Sequence, residues 1–207
     1  MKQTTTNLRF LIVLSLSLAA VLIWSGIDPH DRFTWLLEVL PVLIAVVILA
    51  ATYPVFRFTR LVYMLIWMHA VILMVGGHYT YAEVPLFDWI KEVLGLARNH
   101  YDRVGHFAQG FFPAIIAREI LIRLSPLRPG KWLFAIVTCV CLAISAFYEL
   151  IEWWVALATG SAAESFLGTQ GDVWDTQWDM FLALCGAITS QLLLGRLHDR
   201  VIERLSR

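Results

Sequence analysis

Ionisable side chains recur at helical spacing inside stretches of this chain that are otherwise apolar. Asp102, His106 and Gln109 are spaced four and then three apart, so at about 100° per residue they share one helix face. Glu149 and Glu152 are three apart, beside Tyr148, Trp153 and Trp154. Asp172, Asp175 and Asp179 follow at spacings of three and four, and His78 closes an earlier apolar run. Carboxylates crowded into a low-dielectric pocket cannot all ionise without a counter-charge. Either several hold protons or a cation sits among them. Oxygen ligands with an imidazole suit a divalent ion such as Mg²⁺, Mn²⁺ or Zn²⁺, and the ligand set expected here is His106, Glu149, Glu152, Asp175 and Asp179. Such an ion can hold a lipid phosphate or activate a water. The spacing matches no defined metal motif. The sequence also has no Walker loop, no G-x-S-x-G turn and no H-E-x-x-H, so catalysis by a serine or cysteine nucleophile lacks support.

Simpler roles compete for some of these groups. Asp102, Asp172 and Asp175 suit helix N-caps, where a carboxylate satisfies free N–H groups and complements the dipole. Capping does not account for His106 or Asp179, each about a turn deeper. It also fails for Glu149 and Glu152, at a helix C-terminal end where the dipole disfavours an anion. His69 reads as a satisfied core imidazole, and His30, His100 and His198 as surface groups. Glu119 lies about 25 Å from Asp102 at 1.5 Å per residue and is expected to pair with Arg123 or Arg118. Cys139, Cys141 and Cys185 all fall in apolar runs and read as buried free thiols.

The elements that position these groups follow from composition. Of 207 residues, 59% are hydrophobic and 15% charged, and mean hydropathy is +0.69. Soluble domains are about 45–50% apolar and about 25% charged, so a water-soluble enzyme and a disordered tail are both excluded. Sixteen basic and sixteen acidic residues cancel, and no charge excess invites nucleic acid. A membrane helix needs about 20 apolar residues. Six such runs occur, at 8–26, 34–53, 58–77, 101–124, 132–155 and 173–195, with Pro54, Pro126 and Pro129 between runs. The sequence therefore predicts an all-α polytopic bundle forming a single membrane domain over 1–207. The first run reads as a retained helix, since no small-residue cleavage site follows it. Between Tyr79 and His100, Leu86, Phe87, Ile90, Val93, Leu94 and Ala97 repeat at helical spacing among Asp88, Lys91 and Glu92. This predicts an amphipathic helix in the outer interface, or a lid over the bundle.

Basic residues set the expected orientation, because cytoplasmic loops are enriched in Lys and Arg. They fall at Lys2 and Arg9, at Arg57 and Arg60, at Arg118, Arg123, Arg128 and Lys131, and at Arg196, Arg200, Arg204 and Arg207. Every second link carries them, which puts both termini in the cytoplasm. The polar set then lies in the outer third of the bundle and opens to the periplasm.

Four stretches, GGHYTYAEVP, RNHYDRVGHFAQGFFPAIIARE, YELIEWW and FLGTQGDVWDTQWDM, resemble the uncharacterised YjdF family of bacterial inner-membrane proteins. The C-terminal half also resembles the VanZ-like family. That family opens one helix with D-x-x-x-H, places E-x-x-Q on the next, and then has a loop with Arg and Asp before a final D-x-x-x-N. Asp102 and His106 match the first element, Glu149 the second, and Asp172 and Asp175 the third. Glu152 stands where Gln is usual, Gln170 near the expected Arg, and Asp179 in place of Asn, which makes this site more acidic and favours a cation. The VanZ-like resemblance implies an envelope role, through an association with glycopeptide resistance, and supplies no reaction. The expected function is metal-dependent binding or processing of an envelope lipid or lipid-linked glycan, with membrane lipid as the partner. The rival classes are a proton- or cation-coupled transporter and a non-catalytic membrane interaction protein. For transport, the inner helix halves offer little beyond Thr189, Ser190 and Gln191.

Overall fold

In lipid an apolar run can satisfy its backbone only as a helix or in a closed barrel, and the computed structural model of this chain is helical. It describes residues 8–160 and 164–206; Lys2 and Arg207, which contribute to the charge bias above, lie outside the described residues. In chain order the helices are α1 (Leu8–Gly26), α2 (Arg32–Thr52), α3 (Arg60–Tyr79), α4 (Pro85–Leu94), α5 (Tyr101–Leu124), α6 (Lys131–Thr159), α7 (Glu164–Leu167) and α8 (Asp175–Ser206). Five of them, α1, α2, α3, α6 and α8, are long and apolar enough to cross a membrane.

The remaining expected span, α5, is present but less apolar over a membrane-length stretch than the other five. At 24 residues α5 is long enough, about 36 Å. Its polarity is tolerated because α3, α6 and α8 pack around it, α8 most extensively. Contacts of α5 with α8 run from His106–Asp179 at one end to Arg118–Asp199 at the other, so the two helices run parallel. Small residues let them touch. A Cβ on Gly110 would lie 1.8 Å from the Ala183 carbonyl oxygen, and one on Gly186 would lie 2.1 Å from that of Phe107. Ala114, Ala183 and Ala187 are buried along the same seam, the small-residue packing that brings membrane helices close.

Local signals set the helix ends. Asp31 caps α2, accepting from the Thr34 N–H at 2.6 Å, and this bond holds its carboxylate below the usual range. Asp31→Ala is expected to cost about 1 kcal/mol. Because the folded-state value is depressed, that contribution is present above the ordinary carboxylate pKa and is lost as pH falls through the lowered one. Thermal melting of wild type and variant should therefore differ at pH 7 and converge in acid. Gly95, at φ +62°, ends α4, with the Leu96 N–H donating to the Lys91 carbonyl. Leu86, Trp89, Val93 and Leu94 of α4 stay exposed, and Phe87 alone among its apolar residues packs with the buried Tyr81, Val84 and Tyr101. That disposition suits an interfacial helix better than a closed lid.

Helices α6 and α8 outrun their expected bounds, since hydropathy marks only the apolar part of a helix. The polar end of α8 matters most. It carries His198 back against α5, where the ring is fully buried, a correction to its reading as a surface group. There His198 Nε2 lies 3.2 Å from Glu119 Oε2 and Nδ1 lies 2.8 Å from Arg118 Nη1. Glu119 also accepts from Arg123 at 2.7 Å, as expected, and from both the N–H and the hydroxyl of Thr59. Arg118 reaches Asp199 at 2.6 Å. Two further expectations are corrected. Cys139 is exposed rather than buried, and His69 stacks on Phe112 while its Nε2 has no partner.

Candidate functional site

The end of α6 and the starts of α2, α5 and α8, which meet opposite this network, carry the acidic groups. The parallel register of α5 and α8 places Asp102 beside Asp175, and His106 beside Asp179. His106 lies at the centre. Its Nε2 is 3.3 Å from Asp102 Oδ1 and 3.8 Å from Asp179 Oδ2, and its Nδ1 is 3.8 Å from Glu149 Oε1. Two groups of three bring ligand atoms within 4.8 Å of one another: Asp102, His106 and Asp179, and His106, Glu149 and Glu152. All five side chains are buried, yet His106 Nδ1, Glu149 Oε1 and Asp179 Oδ1 have no hydrogen-bond partner among the described residues. Unpaired polar atoms at this depth are costly.

A cavity of about 150 Å³ opens beside this cluster, lined by Asp102, His106, Gln109 and Glu152 together with Glu38, Tyr81 and Tyr148. Pro41 and Pro113 face it from α2 and α5, and each removes a backbone N–H from its own helix there. Gln109 Oε1 is buried without a partner. Tyr81 is seated against Gly76 and Gly105, where an added Cβ would fall 2.3 Å and 2.6 Å from its ring.

The cation that the sequence left open is supplied in part by the chain itself. Arg98, buried just before α5, donates to Asp175 Oδ1 at 2.5 Å, to Asp102 Oδ2 at 3.2 Å and to the Gly168 carbonyl at 3.2 Å. Arg103 donates to Asp172 Oδ2 at 2.6 Å and lies over the Trp178 ring. Asp172 also accepts from the Trp174 N–H at 3.0 Å, and this bond with the nearby guanidinium keeps its carboxylate below the usual range. Its capping character is therefore present, joined to an ion pair. Partial burial, with Arg103 and Arg98 close by, holds the His100 imidazole below its ordinary value.

Asn99 ties the surrounding loops together. Its N–H donates to Gln170 Oε1 and its carbonyl accepts from Gln170 Nε2, both at 2.9 Å, while Nδ2 reaches Asp88 and the Val84 carbonyl. Of the nine residues singled out in the sequence, His78 does not join the cluster. Its ring turns to α1, with Nδ1 3.0 Å from the Ser25 carbonyl and the Trp24 ring tilted against it. Sequence reasoning missed Arg98, Arg103, Asn99 and Glu38. For Glu38 a signal was present, an acid inside the apolar run TWLLEVLPVL; for Arg98 it was the spacing of four to Asp102.

Comparison with known proteins gives the same picture of class. The profile of a family described as "Predicted membrane protein (DUF2238)" matches residues 10–200. The chain is 56% identical over 190 residues to the inner membrane protein YjdF of Escherichia coli (strain K12), covering 92% of this chain and 91% of that one. No solved structure matches the chain.

Proposed function

The chain belongs to the DUF2238 family of membrane proteins, and from that premise we propose that its buried acidic cluster holds a divalent cation that binds or processes an envelope lipid or lipid-linked glycan at the periplasmic end of the bundle. It is an inner-membrane protein with several membrane-spanning helices. One observation carries the proposal: His106 Nδ1 and Glu149 Oε1 are buried, unpartnered and convergent with Glu152. Behind the ring, Asp102 meets Nε2 at 3.3 Å, the position of the carboxylate that orients a metal-ligating imidazole. The five expected ligands thus narrow to His106, Glu149 and Glu152. Asp175 is taken up by Arg98, and Asp179 lies against the other ring nitrogen. The VanZ-like spacing is consistent with an envelope role.

Transport is less well supported. Beyond the cavity, α5, α6 and α8 close on a core of Ala114, Leu133, Val137, Cys141 and Ala187. Gln191 is held by Thr138 and the Phe134 carbonyl, and Ser190 Oγ is an isolated buried hydroxyl.

Elemental analysis of the purified protein, with co-purified lipids identified by mass spectrometry, tests the reading. Wild type should carry one Mg, Mn or Zn per chain and one enriched lipid class. His106→Ala, Glu149→Gln and Glu152→Gln should each lose the metal, whereas Asp175→Asn should keep it. A metal-free wild type would overturn the proposal. The orientation has its own test, impermeant thiol labelling of single cysteines in a background lacking Cys139, Cys141 and Cys185. Cysteines at Asp28 and Ser165 should label in intact cells, and one at Leu127 should not. The reverse pattern would place the cluster on the cytoplasmic side.

A further inference from the structure

Below the polar cavity the helices do not close. The principal neighbours of α2 are α3 and α7, and between α1, α2, α3 and α5 lies a second cavity of about 340 Å³, almost entirely apolar. Its volume falls in the range of small-molecule pockets, about 300–1,000 Å³. Pro41, His69 and Leu73 line both cavities, so the polar chamber and the apolar cleft adjoin. From Pro41 to Leu49 the cleft follows α2 for eight residues, about 12 Å, and it reaches Ile116 and Ile120 on α5. His69 stands at the junction with Nε2 buried and unpartnered. A polar atom is therefore wanted where the lining changes from charged to apolar.

We propose that this cleft takes one hydrocarbon chain of a lipid whose polar head sits in the acidic chamber, with His69 Nε2 meeting an ester or hydroxyl oxygen where head joins chain. The inference rests on the lipid reading above and adds the subsite for the chain. A polar chamber adjoining an apolar cleft favours a lipid over a second protein segment, since a molecule with a polar head and an apolar tail suits both.

The test uses the full-length protein in nanodiscs containing phosphatidylglycerol with a diazirine near the end of one acyl chain. After irradiation, cross-links should map to the cleft face, at Ala45, Ile66, Ala70 or Ile116. Ala45→Phe fills the cleft and should reduce these cross-links about tenfold, leaving those on the outward residue Val47 unchanged. His69→Leu keeps the apolar bulk and removes the polar atom; it should weaken cleft labelling by up to about tenfold, the size of one hydrogen bond. Cross-links confined to Val47 and other outward positions, equal in wild type and Ala45→Phe, would overturn the proposal. Metal content of the same samples separates the two readings. Bound metal without cleft labelling sinks the chain subsite alone. Cleft labelling without metal supports the subsite and sinks the cation.

Discussion

Arg98→Ala is expected to destabilise the protein by about 3–5 kcal/mol, the cost of leaving buried charges without their partner. Thermal melting in detergent should fall by on the order of 10 °C. The guanidinium is buried and divides its nitrogens, Nη1 to Asp175 and Nη2 to Asp102 and the Gly168 carbonyl. Arg98→Lys should recover little, because one ammonium cannot reproduce that fork. Removing the carboxylates together with the cation, as Arg98→Met with Asp102→Asn and Asp175→Asn, should recover much of the loss. A wild-type melting temperature for Arg98→Ala would show that Asp102 and Asp175 do not depend on this cation.

The second large effect is expected at the α5–α8 seam. Gly110→Ala adds one carbon 1.8 Å from a backbone oxygen of Ala183, so a helix must move rather than a side chain. A cost of about 3 kcal/mol follows from overpacking alone. The movement also parts Asp102 from Asp175 and His106 from Asp179, which adds to the loss of stability. Gly186→Ala, 2.1 Å from the Phe107 carbonyl, should behave alike. Gly195→Ala is the control. It lies in the same α8 with nothing within 4 Å of the added carbon, and the gain in helix propensity should leave it neutral or slightly more stable. Equal melting temperatures for Gly110→Ala and Gly195→Ala would refute close packing at this seam.

Composition and hydropathy by themselves determine that this protein is an all-helical membrane bundle, because burial in lipid demands long apolar runs and a closed backbone. The i, i+4 spacing determines that Asp102 shares a face with His106, since that geometry is local to one helix. Tertiary structure alone decides the rest. The near-contact of Gly110 with Ala183 sets the register of α5 on α8, and that register brings Asp175 to Arg98 and Asp179 to His106. Polar α5 is admitted because three helices cover it, which no hydropathy window can sense. His78 and His198 are each placed by what crosses them, α1 in one case and α5 in the other. Arg98 and Glu38 join the site for the same reason. Asp175, which pairs with Arg98, and Tyr148, which reaches Glu38, are distant in the chain from them, and a charge is paired by whatever the packing of helices brings within a few ångströms of it.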